Sequence, residues 1–146
     1  MKIQHILNTK GRYVVTVRPQ QSLREALSTL VRHDIGALVV VNECGHPIGI
    51  LSERDIIQAA SVYESIFSLA VGALMVKEII VGEPDADLEA IAHTMTELRT
   101  RHVAVMDQGH LVGMVSIGDI VKAQRDAYQG SLYTLEAMVL EDTLGG

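Results

Sequence analysis

The sequence has no tryptophan, a single phenylalanine (Phe67) and only four tyrosines. Proteins that hold single-stranded nucleic acid stack bases on several exposed rings, and this chain has few rings to offer. Basic charge is also scarce: 12 Lys and Arg stand against 18 Asp and Glu, a net charge of -6. A chain of that sign does not attract a phosphate polyanion as a whole, which leaves room only for a local basic pocket that takes a small anion. Cys44 is the one cysteine, so an internal disulfide and a multi-cysteine metal site are both excluded. The longest nearly unbroken apolar stretch, Ile66 to Val76, is about half the length of a bilayer span. The first residues, Met1 to His5, lack the charged region, long apolar run and cleavage site of a signal peptide. The expectation is a cytoplasmic protein that engages neither membrane nor nucleic acid.

What the chain does have is aliphatic mass and repetition. Of its 146 residues 48% are hydrophobic and 21% charged, enough to build an interior and too apolar for a disordered segment. Val39 to Ala59 (VVVNECGHPIGILSERDIIQA) aligns without a gap on Val103 to Ala123 (VAVMDQGHLVGMVSIGDIVKA). The identities include Gly45/Gly109, His46/His110, Gly49/Gly113, Ser52/Ser116 and Asp55/Asp119. Upstream the match resumes with one residue of slack near Asn42 to Cys44, so that Pro19 to Leu23 faces Pro84 to Leu88. Further back, Ile6-Leu7 resembles Leu74-Met75. From about residue 3 to 125 the chain is one unit used twice.

Each copy reads alike. A β-branched run (Val14 to Val17; Ile79 to Val81) is stopped by a proline. A helix follows, with Leu23, Ala26, Leu27, Leu30 and Val31 on one face and Ser22 and Glu25 as a capping box. Its counterpart presents Leu88, Ile91, Ala92, Met95 and Leu98, with Asp87 as N-cap. Two apolar runs joined by a glycine turn predict a β-hairpin: Ala37–Val41 with Pro47–Leu51, and His102–Met106 with Leu111–Val115. A last helix starts near Ser52 or Ser116. The order is β-α-β-β-α, twice, and units this small should pack together to seal their cores.

The strand-to-helix junction is the motif that carries chemistry. Gly49-Ile50-Leu51-Ser52-Glu53-Arg54-Asp55 matches Gly113-Met114-Val115-Ser116-Ile117-Gly118-Asp119. Serine followed three residues later by aspartate is what a helix cap looks like. The same geometry suits a sugar-phosphate: the carboxylate accepts from vicinal ribose hydroxyls, while serine and free N–H groups face phosphate oxygens. Duplication preserves a cap as readily as a ligand site, so both readings stand.

A β-α-β-β-α unit with this G-h-h-S-x-x-D junction, used in tandem, resembles a pair of CBS (cystathionine β-synthase) domains, the arrangement called a Bateman module. The resemblance implies an α/β (α+β) fold of two pseudo-symmetric units packed through their sheets. The units would span residues 1–62 and 63–125, the second with its apolar lead-in, followed by a helical tail at 126–146. It further implies a regulatory, non-catalytic module that binds an adenosine-containing ligand between its halves: AMP, ATP or NAD, with S-adenosylmethionine ranked below them. Carried onto this chain, the ligand residues are Ser52 with Asp55 and Ser116 with Asp119. Arg101 and His102 fall at the phosphate-reaching positions, and Arg54 lies inside the first motif where the second has Gly118. The first half has Gly36 and Ala37 in place of Arg101 and His102, so the two sites should not be equivalent. Val15 and Ile80 are the expected adenine-facing residues.

The remaining candidates read as structural. His46, His110 and His93 are assigned no metal, and Cys44 is an exposed turn residue without an activating neighbour. No common phosphate loop or nucleophile elbow occurs. The segment Ser61–Val76 is too apolar for a free tether and should cross between the halves. The tail places Tyr128, Leu132, Leu135, Met138 and Val139 on one helix face, to be buried either on its own chain or, as the resemblance implies, against a second copy in a homodimer. The alternative to a sensor, which would act on an effector protein, is a constitutive dimerisation scaffold whose Ser–Asp pairs serve only as caps.

Overall fold

The computed structural model describes the backbone of residues 1–145 and the side chains of residues 1–141. Helix α1 (Ile3–Lys10) precedes the first half, which runs β1 (Thr16–Val17), α2 (Leu23–His33), β2 (Ala37–Val41), β3 (Pro47–Ser52) and α3 (Glu53–Ala60). A one-turn helix α4 (Val71–Leu74) precedes the second half: β4 (Ile80–Gly82), α5 (Leu88–Leu98), β5 (His102–Asp107), β6 (His110–Ser116) and α6 (Ile117–Gly145). Each half has its own three-stranded sheet, ordered β1-β2-β3 and β4-β5-β6. In both, the first strand pairs in parallel with the second and the second pairs antiparallel with the third.

The repeat is visible down to its irregularities. Register slips at Val40/Val41 in one hairpin and at the matching Val105/Met106 in the other. The turns explain the slack in the alignment. In the second hairpin Gln108 and Gly109 form a two-residue turn, both at positive φ (50° and 81°), the twist such turns require. The first hairpin has one residue more: Asn42 Oδ1 accepts from the N–H groups of Cys44 and His46, and Gly45 holds φ 78°.

The helices form where capping and periodicity place them, with two corrections at their rims. Ser22 Oγ accepts from the Glu25 N–H at 3.2 Å, whereas the Glu25 carboxylate does not return to the Ser22 N–H and instead takes Gln21 Nε2 at 3.0 Å. Asp87 caps α5 through the Ala90 N–H at 3.0 Å. Leu23, Ala26 and Leu30 are buried, but Val31 is 80% exposed, and on α5 Leu98 is 61% exposed. Each of these two sits about 80° around its helix from the first core leucine, at the edge of the stripe.

The lead-ins exchange partners. The first core gathers Val17, Leu23, Leu38, Val40 and Leu51 together with Ile66 and Val71, which lie between the halves in sequence. The second gathers Ile80, Leu88, Met95, Val103 and Val115 with Ile3, Ile6 and Leu7 of α1. Each half is therefore completed by the segment that precedes the other. Three matched backbone bonds fix the exchange: Val71 N to Gln21 O and Ile3 N to Ala86 O; Gly72 N to Pro19 O and Gln4 N to Pro84 O; Leu23 N to Leu69 O and Leu88 N to Met1 O. Met75 packs over Gly49 and Leu7 over Gly113, where a Cβ would meet Met75 Sδ or Leu7 Cδ2 at 2.7 Å. Glycine is what lets these lead-ins lie so close to the edge strands. From Gln124 to Glu141 every side chain of α6 is exposed, so this stretch of the helix leaves the body of the fold.

Candidate functional site: the cleft between the halves

β3 and β6 each run into a helix through a serine. Asp55 Oδ2 accepts from Ser52 N–H at 2.9 Å and Oγ–H at 2.8 Å, while the Asp55 N–H donates to Ser52 Oγ at 3.3 Å. In the second half Asp119 Oδ2 accepts from Ser116 N–H at 2.9 Å and the Asp119 N–H donates to Ser116 Oγ at 3.1 Å. Both pairs are thus complete reciprocal caps on their helices. A second matched bond ties each helix start to the residue before the hairpin: Glu53 N–H to Gly36 O and Ile117 N–H to Arg101 O, both 2.9 Å. Strand pairing then sets Ala37 opposite Ser52 and His102 opposite Ser116.

The two junctions border one cleft of ≈ 1220 Å³. Val15, Ser52, Arg54, Asp55, Arg101, His102 and Ser116 all line it. Its apolar wall includes Val14, Ile35, Ile79 and Met114. Four cations, Lys10, Arg54, Arg99 and Arg101, face it beside three carboxylates, Glu53, Asp55 and Glu78, in a chain that has only 12 Lys and Arg. Such a concentration in an acidic protein makes a local site for an anion, with guanidinium forks suited to phosphate.

Two of the sequence-predicted residues are elsewhere. Ile80 is 8% exposed and belongs to the second core; its neighbour Ile79 lines the cleft instead, because successive residues of a strand face opposite sides. Asp119 is not part of the cleft wall. Its Oδ2 accepts from Lys10 Nζ at 2.7 Å, and the same ammonium donates to Met114 O at 2.8 Å. Burial alone would raise the Asp119 pKa, but the bonds from Lys10 and Ser116 outweigh it and hold the carboxyl below its usual 3.8.

His102 senses both halves. Burial pushes its pKa below 6.5 and the Lys10 charge adds to this, while Asp55 and Asp119 both pull the other way. Both aspartates therefore lie within electrostatic reach of one imidazole. A phosphate placed beside that ring would favour its charged form.

Lys10 and Arg99 were not singled out by the motif. Arg99 is the left-handed C-cap of α5 (φ 53°), and its counterpart in the first half is Asp34 (φ 52°), so the charge reversal is present in the aligned repeats. Nothing in the repeat signals Lys10, which reaches Asp119 only because α1 crosses to the second half. Among the other candidates, Cys44 is exposed. His93 Nε2 lies 3.9 Å from Glu97 Oε1 on the exposed face of α5. Among the described residues no three His, Cys, Asp or Glu side chains gather in a way that could hold a metal ion. No described helix is long and apolar enough to cross a membrane.

Comparison with known proteins meets this geometry from outside. The family pattern of the CBS domain matches residues 9–62 and again residues 71–126. The CBS domain-containing protein YhcV of Bacillus subtilis is 32% identical over 119 residues, covering 82% of this chain and 84% of that protein. The crystal structure of the CBS-domain containing protein ATU1752 from Agrobacterium tumefaciens superposes with a TM-score of 0.78 at 38% identity, over 85% of this chain and 99% of that one. The CBS domain pair of protein MJ0100, solved in complex with 5′-methylthioadenosine and S-adenosyl-L-methionine, shares the fold with a TM-score of 0.75 at 24% identity, over 87% of this chain and 98% of that one. The pattern falls on the two halves that the separate sheets and cores define, and the chain belongs to the CBS-domain family as a tandem pair.

Proposed function

We propose that this chain is a regulatory sensor that binds an adenosine-containing nucleotide (AMP, ATP or NAD in type) in the cleft between its CBS units and performs no chemistry on it. The observation that carries this reading is the juxtaposition of a ribose acceptor with phosphate donors on a single surface. The Asp55 carboxylate spends Oδ2 on its own cap and keeps its other oxygen for a sugar diol. Arg54, Arg99, Arg101 and His102 supply donors for the phosphate, and Val14, Val15, Ile35 and Ile79 offer an apolar slot for the base. The adenosine compounds bound by the MJ0100 pair agree with this class of ligand.

The output runs through a second copy of the chain and an effector protein. Along α6, Val121, Arg125, Tyr128, Leu132, Leu135 and Val139 recur with heptad spacing. Its apolar members are between 40% and 67% exposed. Lys122 and Arg125 lie toward one end of this seam and Glu136 and Glu141 toward the other, so antiparallel pairing of two copies sets opposite charges side by side. A ligand then acts by its differential affinity for the arrangements of the paired units.

Thermal melts with AMP, ATP, NAD and S-adenosylmethionine test the sensor. A ligand at a hundredfold its Kd stabilises by about 2.7 kcal/mol, a rise in Tm of several degrees for a domain of this size. No rise with any of the four at millimolar concentration replaces the sensor by the scaffold, whose Ser–Asp caps are complete without a ligand.

A further inference from the structure

The two aspartates of the repeated motif are in different electrostatic states. Lys10 Nζ is fixed between two acceptors, Asp119 Oδ2 and Met114 O. In the first half the edge strand is met by main chain instead: Ile50 N donates to Val76 O at 3.0 Å and Val76 N donates to Ile50 O at 2.9 Å. Ile50 is the counterpart of Met114 in the repeat. The backbone of Val76 therefore satisfies there the carbonyl that a lysine side chain satisfies in the second half. Among the described residues, no Lys or Arg forms an ion pair with Asp55. A ribose hydroxyl arriving at Asp55 meets a carboxylate hydrogen-bonded only within its own cap. At Asp119 it meets a carboxylate whose cap oxygen also holds a charge-assisted bond from Lys10, the stronger kind, so that less charge is left to attract the hydroxyl.

We propose that Lys10 is a built-in occupant of the second half-site, its ammonium neutralising the Asp119 carboxylate at the cap oxygen, so that the cleft takes one nucleotide, through Asp55. The volume of the cleft does not impose this limit, since ≈ 1220 Å³ exceeds the ~300–1,000 Å³ of ordinary ligand pockets. The ammonium of an N-terminal helix imposes it. The depressed pKa of Asp119 agrees with the pairing. The inference rests on the nucleotide reading above and adds the stoichiometry and the residue that sets it.

Calorimetric titration of the full chain with AMP tests it, using the wild type, Lys10→Met, Asp55→Asn and the double variant Lys10→Met/Asp55→Asn. Methionine keeps the aliphatic stem, and circular dichroism melts verify that each variant folds. The wild type should bind one equivalent, and Asp55→Asn should weaken that binding by about tenfold or more. Lys10→Met should bind two equivalents, and the double variant should keep one, at Asp119. Two equivalents on the wild type, or one on Lys10→Met, overturns the inference and leaves the nucleotide reading intact. No binding of AMP by any variant, nor of ATP or NAD in the same titration, removes the nucleotide reading and this inference with it. A ligand-free readout stands beside these: in carboxyl NMR titration Asp119 should titrate below the usual carboxylate range and move up in Lys10→Met. An unmoved Asp119 would show that the ion pair does not hold in solution.

Discussion

The first and second halves share their strands, caps, bulges and turn glycines, yet they differ in what surrounds the Ser–Asp junction. The second half places Arg99, Arg101 and His102 where the first has Asp34, Gly36 and Ala37. It also receives a lysine from α1 onto its aspartate, whereas the first half receives backbone from the segment after α4. The duplicated framework is thus kept by packing and backbone bonding, and those constraints leave the cleft-facing positions free to diverge. The second half turns cations toward the cleft at Arg99 and Arg101 and has its carboxylate already paired; the first is uncharged at Gly36 and Ala37, with its carboxylate open. A ligand that carries a diol at one end and a phosphate at the other matches that asymmetry better than a symmetric pair of sites would.

The largest expected effect probes the exchanged lead-ins. Leu7 is 1% exposed in the second core, and Leu7→Ala should cost about 3 kcal/mol. Met75, its counterpart, is only partly buried, so Met75→Ala should cost about 1 kcal/mol. Urea midpoints at constant m-value measure both. Equal costs would mean that the two lead-ins are not anchored as differently as their burial says.

A smaller contrast lies in the glycines beneath those side chains. At Gly49 an added Cβ meets Met75 Sδ at 2.7 Å and the Val76 carbonyl at 3.0 Å, and the carbonyl is held by its bonds to Ile50. At Gly113 the only near atom is the tip of Leu7, at 2.7 Å. Gly49→Ala should therefore destabilise by about 2 kcal/mol and Gly113→Ala by about 1 kcal/mol. The reverse order in the same denaturation experiment would contradict the close approach of Val76.

The smallest effect is a pH dependence carried by His102 and Asp119 of the second half. The folded pKa of His102 lies below 6.5, so the unfolded chain takes up this proton first. Stability should decline as pH falls below neutrality through 6.5 and level off once the folded imidazole also titrates. His102→Ala should remove that step; a step that survives the substitution has another source. Asp119 acts in the acid range: its folded pKa is below 3.8, so its contribution is present above that value and is lost as pH drops through the lower folded one. Lys10→Met should shrink the acid loss.

Most of the framework was legible in the sequence because its causes are local. Caps at Ser22, Ser52 and Asp87, the hairpin turns at Gly45 and Gly109, and the helix faces through Leu23 and Leu88 each depend on a few neighbouring residues. The doubling reinforced them. Val31 and Leu98 were misjudged because a periodic stripe has rims, and only the neighbouring layer decides where burial stops. Ile80 was misplaced by one residue because a three-residue strand gives little pattern from which to fix its facing. Lys10 could not be found at all: its place beside Asp119 depends on α1 packing against the half farther away in sequence. Arg99 could have been found by asking where the aligned copies reverse charge.

A crystal structure of the protein grown with millimolar AMP bears on the whole picture. One nucleotide per chain in the cleft should appear, its ribose diol on Asp55, its phosphate among Arg101, His102 and their neighbours, and the Lys10–Asp119 pair intact. An empty cleft under those conditions, or a nucleotide held by Asp119 with Lys10 displaced, would contradict it.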